Sequence, residues 1–501
     1  MSSATLPTHV HTLVVGAGFG GIGMAATLLR EDPNADVIVI ERGDDVGGTW
    51  RVNTYPGAAC DVPSALYSFS FAPEPDWSKS HGTQVEIYAY LRRVARETGV
   101  ADRAVFDCEL RDAQWDDAQC RWLVSTSRGD LTADVLIAAT GALSTPSLPK
   151  VPGLELFGGT MFHSAGWNHD YDLAGKKVAV IGTGASAIQF VPAIVDSVEH
   201  LTLFQRTASW VMPKRDHEIA APVKALYRRF PLAQKVVRGA VYGQKESYVI
   251  GMTKPFARTW IVPVFERRAR AVLAKRVADP ELRAKLTPGF RIMCKRILLS
   301  NDWFTAITRT NATVVASGLT AVTENAVVDD KGNEYEVDTI VFGTGFTPTE
   351  PPVAQHVRGT GGRTLAETWN GSPSAHLGTT VHGFPNLFLM YGPNTNLGHS
   401  SIVYMLESQA TYIADAIRTM RTRGLSSVEV TAGAQQRYND GLDPVLVKTI
   451  WNAGGCRSWY LDRRGRNSVM WPAFTWKFRR ATRRFDFENY VARLAAEQVN
   501  A

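Results

Sequence analysis

Two glycine-rich loops, set far apart in one chain, constrain the fold of this protein more than any other feature of its sequence. The first is Gly16-Ala17-Gly18-Phe19-Gly20-Gly21, and the second is Gly182-Thr183-Gly184-Ala185-Ser186-Ala187. Each follows a short apolar run and precedes a helical pattern, which is the strand, turn and helix order of a Rossmann unit. The sequence therefore predicts an α/β fold with two Rossmann-like dinucleotide-binding domains, each holding its own nucleotide.

The first loop has the chemistry for a dinucleotide without a 2′-phosphate. Gly16 permits a tight turn, Gly18 lets the backbone approach a pyrophosphate, and Gly21 allows the helix to pack closely. Glu41 closes the next apolar strand, about 20 residues further on, where a carboxylate bonds the ribose hydroxyls and repels a 2′-phosphate. This unit should bind FAD. The competing interpretation is a glycine turn in an unrelated α/β protein.

The second loop lacks that acidic residue. Its cofactor-binding candidates are Gly182, Gly184 and Ser186. The following strand ends in Arg206 and Thr207, which place a cation and a hydroxyl where a carboxylate would repel a 2′-phosphate. Arginine forms bidentate, charge-assisted bonds to phosphate, so NADPH is the predicted second cofactor. The alternative for Arg206 is a solvated surface cation.

Composition fits a globular chain of about three domains and excludes several classes. The 501 residues are 45% hydrophobic and 20% charged, with a net charge of +6 that favours anionic ligands mildly. The five cysteines show no C-x-x-C pair and no metal-type cluster, which predicts a reducing compartment, no disulfide framework and no metal site. Without a signal-peptide pattern or an apolar run of about 18 residues, a cytoplasmic protein with no membrane span is expected.

The stretch after Glu41 is predicted to be an ordered, functional loop, because it has neither helix nor strand periodicity. Its small residues and one aromatic could lie along a flat ring system, which makes Gly48, Thr49 and Trp50 cofactor-binding candidates. Asp61, later in the same stretch, is either a functional carboxylate or an Asx-turn residue.

At this point the sequence resembles the type I Baeyer-Villiger monooxygenases, within the class B flavoprotein monooxygenases. The match to the family fingerprint F-x-G-x-x-x-H-x-x-x-W consists of Phe157, Gly159, His163 and Trp167. The match to a second motif consists of Gly48, Trp50, Tyr55, Pro56, Gly57 and Asp61. One departure is Asn168, where the family usually has Pro or Asp. His163, taken alone, is better interpreted as a linker residue than as a catalyst.

The resemblance implies roles for several residues. Arg296 is the implied catalytic arginine, and Asp61 would lie beside it and orient it. Lys295 would join Arg206 and Thr207 at the 2′-phosphate. Tyr67 and Trp459 complete the implied cofactor-binding set, although a buried core position explains Trp459 almost as well. The implied reaction uses NADPH and dioxygen to insert one oxygen atom beside a ketone carbonyl, through a C4a-peroxyflavin that a fixed cation stabilises.

The same resemblance implies an NADP domain inserted in a discontinuous FAD domain. The expected limits are 1–145 and 349–501 for the FAD domain, 146–213 and 291–348 for the NADP domain, and 214–290 for a basic helical insertion. A basic, aromatic C-terminus is interpreted as structural, with Trp476 and Phe478 alternating as in a half-buried strand and a helix starting at Asp486. Membrane-surface contact is the alternative there. No nucleic-acid partner is expected.

Three other functions stay open on sequence grounds. A class B enzyme that oxygenates sulfur or nitrogen would share every motif, and Asn168 keeps it possible. A flavin disulfide reductase would need a paired cysteine near the flavin, and Cys60 has no partner at the usual spacing. A nucleotide-binding sensor without turnover would not need Lys295 and Arg296. The expected small-molecule partners are a ketone, or a sulfide, and dioxygen, while substrate identity and oligomeric state are undetermined.

Overall fold

The structure is a computed structural model that describes residues 3–143, 145–347, 351–456 and 458–495. In chain order its strands are β1 (His9–Val15), β2 (Val37–Ile40), β3 (Ala104–Val105), β4 (Leu110–Asp116), β5 (Arg121–Thr126), β6 (Gly129–Ala138), β7 (Thr160–His163), β8 (Lys177–Ile181), β9 (His200–Phe204), β10 (Val211–Met212), β11 (Leu298–Leu299), β12 (Ala312–Val315), β13 (Ala321–Val322), β14 (Ala326–Val328), β15 (Glu334–Glu336), β16 (Thr339–Phe342), β17 (Val357–Arg358), β18 (Leu387–Leu389), β19 (Leu425–Val430) and β20 (Tyr490–Leu494).

The α-helices, in the same order, are α1 (Phe19–Glu31), α2 (Thr49–Val52), α3 (Gln84–Glu97), α4 (Ala187–Ile194), α5 (Ala221–Arg229), α6 (Pro231–Thr253), α7 (Pro255–Arg276), α8 (Pro280–Lys285), α9 (Trp303–Ile307), α10 (Val353–His356), α11 (Leu365–Trp369), α12 (Ile402–Arg423), α13 (Ala432–Val447), α14 (Ile450–Ala453) and α15 (Thr475–Ala481).

Two separate sheets carry the two glycine loops. The first has the strand order β17-β4-β5-β6-β1-β2-β3, with β18 also paired to β6. Strand β1 lies between β2 and β6 and runs parallel to both, so the loop that follows it opens at the carboxyl edge of a parallel core. Ligands of open α/β sheets bind at that edge.

The second sheet is entirely parallel, in the order β12-β9-β8-β16-β7. Its central strand β8 leads into the second glycine loop, and β9 leads to Arg206. The predicted α/β class with two Rossmann-like units is confirmed. The domain limits stay a prediction, and the limit drawn between 348 and 349 lies outside the described residues.

Helices α5 to α8 occupy the span expected to be a helical insertion. Helix α6 packs against the segment that follows β2, where Arg238 donates to the carbonyl oxygens of Ala65 at 2.9 Å and Ser68 at 3.0 Å. Near its other end, Glu246 accepts bonds of 2.8 Å from both the backbone N–H and the hydroxyl of Thr475. The helix is therefore hydrogen-bonded to two other parts of the chain, the segment after β2 and the start of helix α15.

The secondary structure predicted for the C-terminus was wrong. Trp476 and Phe478 lie on helix α15, not on a strand, and only Thr475 and Phe478, three positions apart, are buried in it. The segment after Asp486 forms a single 3-10 turn and then strand β20, which pairs antiparallel with β19. This segment forms a strand instead of the predicted helix because β19 has an open edge for backbone hydrogen bonds.

The cysteine spacing predicted no disulfide framework, and it missed one disulfide. Cys294 and Cys456 form a disulfide across a separation of 162 residues. The other three cysteines are free: Cys60, Cys108 and Cys120. Short-range spacing, on which the expectation rested, cannot detect a bond between segments that only the fold brings together.

Candidate active site

The first glycine loop can be built only from glycine at two of its positions. Gly16 has φ of +103°, and a Cβ there would lie 2.7 Å from the carbonyl oxygen of Ala139. At Gly21 a Cβ would lie 1.8 Å from the carbonyl oxygen of Gly16. Helix α1 begins directly after Gly18, and no side chain caps it, so its first N–H groups stay available to an anion.

Glu41 lies at this loop. Its carboxylate is buried and accepts hydrogen bonds from the N–H of Ala17 at 2.8 Å and of Gly43 at 2.9 Å. A carboxylate offers about four acceptor positions, so two stay available for ribose hydroxyls. The two backbone bonds fix the orientation of the group before any ligand binds.

The loop expected to follow the cofactor touches the first glycine loop. Gly48 has φ of +52°, and a Cβ there would lie 2.9 Å from the Cα of Gly18. Thr49 begins the short helix α2, the one regular element in this stretch. The indole N–H of Trp50 donates to the Tyr67 hydroxyl at 3.0 Å, and burial raises the pKa of Tyr67. Gly48, Thr49, Trp50 and Tyr67 thus form one wall beside the glycine loop.

Arg296 and Asp61 meet in a two-pronged ion pair. The guanidinium Nε donates to Asp61 Oδ2 at 2.5 Å and its Nη2 donates to Oδ1 at 2.6 Å. The Arg296 side chain keeps 39% of its surface exposed, and Asp61 keeps 26%. The third nitrogen, Nη1, has no hydrogen-bond partner in the described part of the chain, so the guanidinium is held by one edge and open at the other.

The pKa values of this pair follow from their contact. Burial alone would raise the pKa of Asp61, but the Arg296 charge and its hydrogen bonds outweigh burial and lower it. The Asp61 charge in turn raises the pKa of Arg296. Both groups are therefore charged throughout the physiological pH range.

A second cation faces the same carboxylate. Lys245, on helix α6, interacts electrostatically with Asp61 and with Arg296, while burial lowers its pKa. Lys245 stands seven positions after Arg238, which is two helical turns and hence the same helix face. Arg238 binds residues just after Asp61, so the geometry of α6 directs Lys245 toward this site. No sequence motif singled this residue out.

The second glycine loop repeats the close packing of the first. Gly182 has φ of +108°, and a Cβ there would lie 2.6 Å from the carbonyl oxygen of Gly343. At Gly184 the corresponding distance is 3.7 Å. Ser186 precedes helix α4 without capping it through its side chain. The N-terminal N–H groups of α4 are again free of a side-chain partner.

Two cations from distant parts of the chain converge near that loop. Burial lowers the pKa of Lys295, and the nearby Arg206 charge lowers it further. Neither cation is ion-paired with a carboxylate within the described ranges. Thr207 lies beside them, and its carbonyl accepts from the Thr183 hydroxyl of the glycine loop at 3.5 Å. Two unpaired like charges in one place are stabilised by an anion, and phosphate is the anion that this set of donors fits.

Known proteins share the sequence that forms this site. Residues 13–230 match the family model described as "Pyridine nucleotide-disulphide oxidoreductase". A Baeyer-Villiger monooxygenase of Streptomyces coelicolor is 49% identical over 98% of this chain and 95% of its own length. A Baeyer-Villiger monooxygenase of Pseudomonas aeruginosa is 46% identical over 98% of this chain and 94% of its own length. The chain belongs to the Baeyer-Villiger monooxygenase family.

Solved structures of similar enzymes agree. The NADP+-bound cyclohexanone monooxygenase from Rhodococcus sp. Phi1 matches with a TM-score of 0.85 and 27% identity, over 98% of this chain and 100% of that one. An oxidised steroid monooxygenase bound to NADP matches with a TM-score of 0.86 and 29% identity, over 98% and 100%. The predicted FAD- and NADPH-dependent Baeyer-Villiger monooxygenase is confirmed. No helix in the described ranges is long and apolar enough to cross a membrane.

The family's FAD also fits a feature that the sequence did not predict. His399 Nδ1 and Ser400 Oγ are buried and have no hydrogen-bond partner in the described residues. Both precede helix α12, which runs in the same direction as α1, since Arg418 pairs with Glu31 near both C-terminal ends. The start of α12 therefore lies on the glycine-loop side, where a flavin's polar edge would satisfy these two groups.

The remaining motif residues of this Baeyer-Villiger monooxygenase lie outside the ion pair. His163 is buried where the second sheet ends, its ring 5.7 Å from that of Phe346, and burial lowers its pKa. Trp459 keeps 43% of its surface exposed and packs edge-on against Tyr460 at 4.6 Å. Asn168 is an exposed turn residue whose side chain accepts from the N–H of Asp170 at 3.2 Å. Of these three, only the Trp459 segment approaches Arg296, through Tyr460.

Proposed function

We propose that this enzyme converts ketones to esters or lactones, with Arg296 as its catalytic residue and Asp61 as the group that positions Arg296. The observation that carries the proposal is the two-pronged contact between them, which leaves Nη1 unbonded in the described chain. The adjacent Lys295 lies near Arg206, so the same short segment would serve both the reaction site and the NADPH phosphate.

FAD, once bound and reduced by NADPH, would react with dioxygen, and that reaction would provide the oxygen atom that is inserted. In the first nucleotide site, Glu41 would hold the ribose, while the free N–H groups of helix α1 would hold the pyrophosphate. Gly16, Gly18 and Gly21 let the backbone approach that closely. Trp50 and Tyr67 would close the side of the site next to Gly48.

The second site would recognise NADPH by the negative charge of its phosphates. Arg206, Lys295 and Thr207 would bind the 2′-phosphate of NADPH, and the N–H groups at Ser186 and the start of α4 would bind its pyrophosphate. Gly182 and Gly184 give the cofactor room. Trp459 would cover the cofactor from the side of Tyr460. The absence of a carboxylate partner for Arg206 and Lys295, in the described chain, supports this assignment.

Arg296 contributes through a fixed positive charge. Attack on a ketone carbonyl places negative charge on oxygen, and a preorganised cation beside that oxygen stabilises it without reorganising in the reaction. Asp61 keeps the guanidinium oriented, since both prongs of the pair must break before it can swing. Lys245, on helix α6, adds a second positive charge near the ion pair.

Ketone oxygenation is favoured over sulfur or nitrogen oxygenation by the position of Asn168. The departure from the family fingerprint is exposed, and its side chain hydrogen-bonds locally to Asp170 and not to Arg296 or Asp61 within the described residues. Disulfide reduction at Cys60 is disfavoured, because burial raises the pKa of that thiol to about 12 and no second cysteine is bonded to it. A cytoplasmic location belongs to the same proposal, because the reaction consumes NADPH.

The test is Arg296→Ala in the holoenzyme, with ester product and NADPH consumption measured on the same sample. We expect reduction of FAD by NADPH to persist and ester formation to fall at least a hundredfold, since losing one preorganised donor costs about 3 kcal/mol. Arg291→Ala is the matched control, because Arg291 lies on the same segment and pairs with Glu266 at 2.7 Å instead. Unchanged ester formation in Arg296→Ala would refute the assignment.

A further inference from the structure

The disulfide between Cys294 and Cys456 connects two segments that both reach the proposed reaction site. Cys294 is followed directly by Lys295 and Arg296, and Cys456 stands three positions before Trp459. The bond is therefore close in the chain to the catalytic cation on one side and to the cofactor-covering tryptophan on the other. The proposed chemistry of oxygenation does not use this bond.

Several contacts make the two segments one unit. The backbone N–H of Arg291 donates to the carbonyl of Gly454 at 3.0 Å. Burial raises the pKa of Tyr460, and the charge of Arg296 opposes that rise, so the two side chains belong to one environment. A Cβ at Gly454 would lie 2.7 Å from Cys294 Sγ, so no space separates them. The disulfide is the covalent part of a contact that has Arg296 at one end.

The backbone next to the bond is held in an unfavourable conformation. Met293, which precedes Cys294, has φ of +72°, a left-handed value that a side chain with a Cβ rarely adopts. Such a residue persists only where its surroundings hold it in place. Opening the bond removes one of the restraints on residues 291–296, so this segment can relax toward an ordinary conformation.

The two sulfur atoms differ in access. Cys294 has none of its surface exposed, whereas Cys456 is partly exposed and follows the exposed Gly455. An external thiolate can therefore attack at Cys456 Sγ, with Cys294 as the leaving group. This order follows from access, which is one of the factors that decide which sulfur is attacked.

We propose that the Cys294–Cys456 disulfide is a redox-modification site, opened by dithiol reductants and closed by peroxide, whose open form holds Arg296 and the Trp459 segment less firmly. The effect on catalysis rests on the proposed role of Arg296. The closed form couples NADPH oxidation to oxygenation, and the open form releases more of the reducing power as hydrogen peroxide.

The chemistry balances in both directions. On opening, a reductant thiolate bonds to Cys456 Sγ, the S–S bond breaks, and its electron pair goes to Cys294 Sγ, which takes a proton from water. The second reductant thiolate then attacks the reductant's own sulfur and releases Cys456, which is protonated. On closing, two thiols lose two electrons and two protons to hydrogen peroxide, which becomes two waters. Uncoupled NADPH oxidation by dioxygen supplies that peroxide.

The first test counts thiols in the purified holoenzyme after denaturation, before and after treatment with dithiothreitol. We expect three thiols before and five after, since three of the cysteines are free in the structure. Hydrogen–deuterium exchange should rise in residues 291–297 and 454–460 on reduction, and return to its starting level after hydrogen peroxide. Five thiols at the start, or unchanged exchange in both segments, would overturn the proposal.

The second test measures ester formed per NADPH oxidised in the two redox forms. We expect at least a threefold fall on reduction and recovery on reoxidation. Cys456→Ser should match the reduced form and ignore dithiothreitol, whereas Cys120→Ser, a free and partly exposed cysteine, should respond as the parent enzyme does. A ratio that does not change with redox state refutes the coupling.

Failure of the proposed function is distinguishable from failure of this inference. If neither redox form makes an ester while both oxidise NADPH, the ketone-oxygenation proposal fails. In that case the thiol count and the exchange data still decide whether Cys294–Cys456 opens and loosens its two segments. If Cys456→Ser does not fold, reduction of the parent enzyme carries both tests alone.

Discussion

The carboxylate of Asp61 and the guanidinium of Arg296 come from positions 235 residues apart and meet in two hydrogen bonds of 2.5 and 2.6 Å. Asp61 belongs to the loop that touches the first glycine loop, and Arg296 belongs to a segment that returns from the helical insertion. The pair therefore joins the two proposed nucleotide sites at one point, and its geometry depends on how both sheets sit against each other.

Replacing Asp61 with Asn tests whether the carboxylate positions Arg296. The variant keeps the size of the side chain but removes the charge that holds the guanidinium by one edge. We expect FAD reduction by NADPH to change little, while ester formed per NADPH falls about tenfold and hydrogen peroxide rises to match. Asp44→Asn is the control, since Asp44 pairs with Arg51 on the surface and such pairs contribute little. Equal coupling in both variants would show that Asp61 does not act through Arg296.

Removing Arg206 or Lys295 tests phosphate recognition in the second site. Each cation that bonds a phosphate contributes about 1.5–3 kcal/mol, or roughly ten- to a hundredfold in affinity. Arg206→Ala and Lys295→Ala should each raise KM for NADPH by that factor and leave KM for NADH nearly unchanged. Lys285→Ala removes the same charge from helix α8, where Lys285 pairs with Glu281, and should leave both constants unaltered. An equal rise for both nucleotides would remove the phosphate assignment.

Short apolar and periodic stretches of sequence predicted much of this fold, because many of its strands and helices are encoded by neighbouring residues. Strand β2 begins and ends where its apolar run does, and the helical span 214–290 contains four helices. Helix α15 was missed because Trp476 and Phe478 suggested a period of two, whereas burial follows Thr475 and Phe478 with a period of three. Strand β20 was missed because four of its five residues are exposed, so it has no apolar alternation.

Only those site residues that belong to short sequence motifs were predicted. The glycine loops and Glu41 are encoded within short windows, and the structure brings each of them to a sheet edge. Lys245 could not be found, because it approaches Asp61 through the packing of a helix in another part of the chain. The Cys294–Cys456 bond was missed for the same reason, because its two cysteines lie far apart in the chain and have no short-range spacing.

His81 makes stability depend on pH near neutrality. Its ring lies 3.3 Å from Asp216, and burial, followed by the Lys214 charge, lowers the pKa of His81 below 6.5. Asp216, Lys214 and Lys245 are the charged groups that act on it. Below pH 6.5 the unfolded chain binds a proton that the folded chain refuses, so stability is lost as pH falls toward the folded pKa.

The measurement is Tm of the holoenzyme between about pH 5 and 7.5. We expect His81→Gln to flatten the decline in that window, by at most about 1.4 kcal/mol per pH unit. Asp216 does not interfere, because its own pKa is lowered from 3.8 and it titrates below the window. The same decline in His81→Gln as in the parent would exclude this histidine as the cause.

Two glycine-to-alanine changes should move stability in opposite directions. In Gly21→Ala the new Cβ would lie 1.8 Å from the carbonyl oxygen of Gly16, so helix α1 must move away from the turn that should hold FAD. In Gly243→Ala the new Cβ meets nothing within 4 Å, and the residue lies inside helix α6. Alanine there lowers the conformational entropy of the unfolded chain and favours the helix, a gain of up to about 1 kcal/mol. Thermal unfolding with FAD fluorescence as a second readout should show Gly243→Ala more stable and fully loaded, and Gly21→Ala less stable and depleted of FAD. Full FAD content in Gly21→Ala would mean that the close contact between α1 and the first turn is not needed for binding.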